Sequence, residues 1–85
     1  MEKTLRSASH LKFRKLLRDI RKERGLTQIQ LAERIERDQS FVSRYEAGDK
    51  VLDIVELREI CQALEISLES FVRRWEKLLG KDSKE

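Results

Sequence analysis

The stretch Asp38-Gln39-Ser40-Phe41-Val42-Ser43-Arg44-Tyr45-Glu46-Ala47-Gly48-Asp49 decides how the chain is read. Polar and apolar residues are mixed in it, and a helix sorts them. Gln39 and Ser43 stand one helical turn apart, as do Ser40 and Arg44, so the four make one continuous polar face. Val42 and Tyr45 point the other way, toward a core, with Phe41 at the boundary. Asp38 is placed to cap the start and Gly48 to end the helix. A helix this short is unstable alone, so packing must hold it. Val42 is expected to supply much of that packing, against Leu31, Ala32 and Leu57.

Apolar spacing on either side predicts four more helices. Phe13, Leu16, Leu17 and Ile20 form a stripe over residues 9–24, and Gly25 follows where a left-handed cap is usual. Thr27 and Gln30 make a capping box that opens the second helix, with Leu31, Ala32 and Ile35 inward and an end near residues 35–36. Only Glu36, Arg37 and Asp38 then separate it from the third helix, 39–47, which forces a steep crossing. Asp53 and Glu56 box the fourth helix, striped by Ile54, Leu57, Ile60, Cys61 and Leu64. Ser67 caps the fifth, in which Leu68, Phe71, Val72, Trp75, Leu78 and Leu79 recur at helical spacing. The expected fold class is all-α, a compact five-helix bundle. The expected organisation is a flexible arm over residues 1–8, one domain over 9–79 and a frayed charged tail over 80–85.

The totals agree with one small domain. Eighty-five residues can bury one modest core. Charged residues make up 41% and proline is absent, which favours helices over long irregular loops. Cys61 is the sole cysteine, so neither an intrachain disulfide nor a metal knuckle can form, and a buried small hydrophobe is expected there. His10 has no partners for metal or catalytic work. No nucleophile–base pair, glycine-rich phosphate loop or metal-spaced cluster occurs, so neither an enzyme nor a cofactor is expected. No apolar run approaches a membrane span and the N-terminus has no secretory segment, which leads to an expected place in the cytoplasm.

Charge is distributed unevenly. Residues 1–24 hold nine Lys/Arg against three acids, a net of +6, whereas residues 49–69 hold two against six, a net of −4. Such polarity suits an anionic partner met in one orientation, and equally a solvated helix face. The residue types on the third helix carry more information. Glutamine offers the donor and acceptor that match adenine N6 and N7, and arginine the fork that matches guanine O6 and N7, each good pair worth roughly 1–3 kcal/mol of base preference. Serine reaches any base edge and permits close approach. A lysine-rich face would bind phosphate without reading sequence. Gln28, at the start of the second helix, stands where free amides and the helix dipole favour a phosphate. Lys50, in the loop after the third helix, is a second candidate phosphate contact.

These residues carry a resemblance. Thr27-Gln28-x-x-Leu31-Ala32, followed by Ser40-Phe41-Val42-Ser43-Arg44-Tyr45-Glu46-x-Gly48, resembles the Xre/Cro-like helix-turn-helix domains of bacterial and phage regulators, and the likeness covers residues 11–72. It implies a bundle of the lambda-repressor-like DNA-binding type with the helix-turn-helix in helices two and three. It implies that the third helix enters the major groove of double-stranded DNA, with Gln39, Ser40, Ser43 and Arg44 on the bases and Gln28 and Lys50 on phosphates. It also implies a partly buried structural ion pair between Arg21 and Glu46. By the same resemblance the chain is a transcriptional regulator, a repressor in the favoured form, acting as a homodimer at the nucleoid of a bacterium or phage-infected cell. The alternative is an antitoxin or other protein-interaction module that binds a toxin partner and DNA together. Leu78 and Leu79 are expected to supply a dimer surface. Two departures stand out. Glu36 occupies the turn position where this family usually has glycine. Residues 27–46 are net −1, three arginines against four acids, so affinity is expected to lean on the basic first helix and arm.

Overall fold

The computed structural model describes residues 7–83, which form five α-helices: α1 (Ala8–Glu23), α2 (Gln28–Arg34), α3 (Gln39–Ala47), α4 (Ile54–Ala63) and α5 (Leu68–Ser83). Residues 1–6 of the expected arm and 84–85 of the expected tail lie outside the described residues.

Capping chemistry sets where the helices start. Ser7 accepts from the His10 amide at 3.0 Å and opens α1 one residue earlier than the apolar stripe indicates. Thr27 with Gln30, and Asp53 with Glu56, form complete capping boxes at α2 and α4. Ser67 accepts from the Ser70 amide at 3.0 Å at the head of α5. Asp38 is the exception: it holds the extended N-cap conformation of α3, but its carboxylate accepts no amide. The first turn of α3 is closed instead by the Asp38 carbonyl, which takes the Phe41 N–H at 3.0 Å.

The ends share one device. After α1, α2, α3 and α4 a residue turns left-handed, at Gly25, Glu36, Gly48 and Glu65 in turn. The next amide then reaches back five residues: Leu26 to Arg21, Arg37 to Ala32, Asp49 to Arg44 and Ile66 to Cys61. This closed turn reverses the chain in few residues. Glycine accepts the conformation without steric cost, and the two glutamates do not. Glu36 has φ 58°, so the family's usual glycine position is left-handed here with a side chain present. At Gly48 a second constraint applies, because an added Cβ would lie 2.8 Å from Cζ of Arg14.

The core draws on every helix. Leu16, Leu17 and Ile20 of α1 pack with Leu31 and Ala32 of α2, Val42 and Tyr45 of α3, Leu57, Ile60 and Cys61 of α4, and Phe71 of α5. Phe13 meets Phe71 and Trp75 edge-on at 5.7 and 5.6 Å, and Trp75 Nε1 donates to the Ser9 carbonyl at 3.0 Å. These contacts fasten α5 across the start of α1. Ile54, expected on the α4 stripe, is 62% exposed instead. It is the first residue of α4, and that helix meets the core only from Leu57 onward. Leu78 and Leu79 are half-buried, whereas Val51, Ile54 and Val55 form an exposed apolar group around the start of α4.

Candidate nucleic-acid interface

α3 is held upright by its buried side. Val42 is 0% and Tyr45 1% exposed, and Phe41 stacks edge-on against Tyr45 at 5.7 Å. The opposite side carries the polar face as the sequence spaces it. Gln39, Ser40 and Arg44 are exposed and Ser43 is half-buried. The side chains of Ser40, Ser43 and Arg44 have no hydrogen bond or ion pair among the described residues, so their donors and acceptors point outward uncommitted.

Gln39 is different. Its Nε2 donates to Oε1 of Gln28 at 2.9 Å. Gln28 in turn donates from Nε2 to Oε1 of Glu46 at 3.0 Å. Gln28, which the sequence marks as a candidate phosphate contact alone, is therefore tied to the helix that carries the outward polar face. Behind it, Glu46 receives Nε of Arg21 at 2.8 Å and Nη2 at 3.0 Å, while Arg21 Nη1 donates to the Leu26 carbonyl at 2.8 Å. The two charged side chains are 8% and 4% exposed, more deeply buried than the sequence suggests. The hydrogen bond to Glu46 raises the Arg21 pKa further above its ordinary value, so the guanidinium stays charged in spite of burial.

Lys50 folds back on the protein. Its ammonium lies 3.7 Å from Oε2 of Glu56, 3.4 Å from the Val51 carbonyl and 5.4 Å from the centre of the Phe41 ring. Arg37 covers the same ring at 4.5 Å and pairs with Glu56 and Glu59. Sequence spacing gives no sign of this acidic pull, because Glu56 serves the capping box and the two cations at once.

The basic first helix divides into two groups. Several of its cations act within the fold: Lys12 reaches the Leu78 carbonyl at 3.4 Å, and Arg24 the Leu64 carbonyl at 2.7 Å. Arg34 of α2 adds a bond to the Ala63 carbonyl at 3.0 Å, so two arginines offset the negative end of α4. The second group lies toward α3. Leu11, Arg14, Lys15 and Arg18 line a groove with Glu46. Arg14 rests on Gly48 and donates to Nδ1 of His10 at 3.0 Å, which fixes that nitrogen as the unprotonated one. Burial, and then the Arg14 charge, lower the His10 pKa. Arg14 and Arg18 are thus candidate backbone contacts that the sequence marked only as part of a general excess of positive charge. Among the described residues no group of three His, Cys, Asp or Glu is placed to hold a metal, and no helix is long and apolar enough to cross a membrane.

Comparison with known proteins places this geometry. The helix-turn-helix family model matches residues 17–71. Among curated proteins no match was found. An XRE-family like protein from Pseudomonas syringae pv. tomato is similar in structure, with TM-score 0.81 and 32% identity over 89% of this chain and 93% of that one. The wild-type restriction–modification controller protein C.Esp1396I is similar with TM-score 0.77 and 31% identity, over 84% of this chain and 93% of that one. The same controller protein, as a tetramer in complex with its natural 35 base-pair operator, is similar to the same degree, with TM-score 0.77 and 31% identity. Both polar-face helix and turn fall inside the matched span, and the chain belongs to the Xre/Cro-like helix-turn-helix family.

Proposed function

We propose that the protein is a sequence-specific DNA-binding transcriptional regulator that reads the major groove with α3. The observation that carries this reading is the uncommitted polar face of Ser40, Ser43 and Arg44 beside the oriented amide of Gln39. Arg44 supplies the fork that matches guanine, Gln39 the amide that matches adenine, and the serines permit close approach. Gln28 lies at the head of α2, where it can touch backbone and brace Gln39 together. Arg14 and Arg18, from the groove along α1, neutralise phosphates on the same side. Lys50 contributes a phosphate contact by exchanging the Glu56 carboxylate for the DNA backbone.

The active unit is a homodimer on an approximately palindromic operator, as two-fold protein symmetry requires. The exposed Val51, Ile54 and Val55 supply the apolar surface for the second copy. Similarity to a controller protein that assembles on its operator supports this form. Regulation then works by occupancy, and repression is the simplest outcome of a bound dimer.

The test uses two variants and salt. Arg44→Ala should weaken binding at one base position of each half-site, while leaving other positions as selective as before. Loss of affinity that is equal across all sequences would remove Arg44 from base reading. Wild-type affinity should fall steeply with salt, because each phosphate neutralised releases counterions. A flat salt response would point to a protein partner in place of DNA.

A further inference from the structure

We propose that Glu56 competes with the DNA backbone for Lys50, and that Arg37 is the positioning residue that lets Lys50 leave. The proposal rests on the DNA-binding reading and on Lys50 as a phosphate contact.

The cluster borders the polar face of α3. Phe41 and Arg44 stand three apart on that helix, so the Phe41 ring flanks the Arg44 edge of the face. Two cations share the ring, with the Arg37 guanidinium 4.5 Å and the Lys50 ammonium 5.4 Å from its centre. Both also reach one oxygen. Oε2 of Glu56 lies 3.5 Å from Nη1 of Arg37 and 3.7 Å from Nζ of Lys50. The other oxygen of Glu56 accepts the Asp53 N–H at 3.0 Å, which keeps the carboxylate at the head of α4. The Glu56 side chain is only 18% exposed, so its charge is poorly solvated and needs a cation.

This geometry sets the terms on which DNA takes Lys50. A phosphate that takes it removes one of two cations from Glu56. With Arg37 in place the carboxylate keeps a partner, and Lys50 exchanges one oxyanion for another. Without Arg37 the departure of Lys50 would strand the carboxylate, so Lys50 would be held back. Arg37 is gripped a second time, by Glu59 at 3.1 Å, and remains when Lys50 moves. Lys50–Glu56 is also the longest of these three ion pairs, and so the one that opens. Arg37 therefore acts on binding through Glu56 and touches no phosphate.

The capping box makes the test clean. Glutamine serves such a box as glutamate does, so Glu56→Gln keeps the α4 cap and removes the charge. Arg37→Met keeps an apolar stem over Phe41 and removes the fork. Binding of the full chain to a duplex of mixed sequence is measured by fluorescence anisotropy at one salt concentration, because backbone contacts carry no base information. Glu56→Gln should tighten wild-type binding by roughly threefold, the order of a partly exposed ion pair. The same change should gain more in the Arg37→Met background, where Lys50 is held hardest. It should gain nothing in the Lys50→Ala background, where no cation is left to release. Thermal melting establishes that each variant is folded; if Arg37→Met is not, the contrast between wild type and Lys50→Ala decides alone. An equal gain in every background is what a general change of charge would give, and it would overturn the proposal. So would the absence of any gain in wild type. A wild-type protein that binds no duplex would overturn the DNA reading and this proposal with it, a failure distinct from equal gains on bound DNA.

Discussion

The guanidinium of Arg21 and the carboxylate of Glu46 meet through bonds of 2.8 and 3.0 Å, with side chains only 8% and 4% exposed. At that depth neither charge has water to fall back on. Removing one partner strands the other, so Arg21→Ala or Glu46→Ala should each cost about 3–5 kcal/mol in urea unfolding. The exposed pair Lys15–Asp19, with side chains 60% and 42% exposed, offers the control. Its truncation should change stability by less than about 1 kcal/mol. Equal effects at the two sites would show that burial does not set the cost.

Tyr45 makes a contrasting case. Its ring is in the core at 1% exposure, and its hydroxyl has no hydrogen-bond partner among the described residues. Burial raises its pKa far beyond the physiological range, so the group stays neutral. Tyr45→Phe removes the unpaired hydroxyl and keeps the ring. Stability should be unchanged or higher by up to about 1 kcal/mol. A clear loss in thermal unfolding would mean that the hydroxyl is satisfied.

Cys61 gives a pH prediction. Burial pushes its thiol up from 9.0 to about 11. The folded state therefore holds the proton more tightly than the unfolded chain. The stability this contributes is complete below about pH 9 and is lost as pH rises through about 11. A thiol reagent at pH 8 should leave the native protein unlabelled and react once urea unfolds it. Rapid labelling of the folded protein would place the sulfur at the surface.

The apolar group at the start of α4 bears on assembly. Ile54 and Val55 are 62% and 63% exposed. Ile54→Glu should leave thermal stability of the monomer within about 0.5 kcal/mol, as for an exposed position. It should convert a dimer into a monomer in light scattering and weaken operator binding accordingly. A dimer that survives this change would have its interface elsewhere.

Much of this arrangement is legible in the sequence, for local reasons. The capping boxes Thr27–Gln30 and Asp53–Glu56 lie within one helical turn, and the α3 polar face repeats with the helix period. What sequence could not supply is which polar groups meet across helices. Gln28 and Gln39 are 11 residues apart, and Arg24 and Leu64 are 40 apart, with nothing in their types to pair them. Lys50 was legible as a loop cation, but its attraction to Glu56 depends on how α4 is set against the loop. Ile54 fits the apolar period of α4, and only the tertiary packing reveals that this turn meets no core. Glu65 turns left-handed without any glycine to announce it, which composition alone does not signal.

In the proposed function the outward face of α3 reads base edges. Selection of bound sequences from a random duplex pool, with the full chain, tests it most directly. The expected result is an enriched pair of two-fold related half-sites with centres about one helical turn apart. A folded protein that leaves the pool unenriched would show that this face reads no bases.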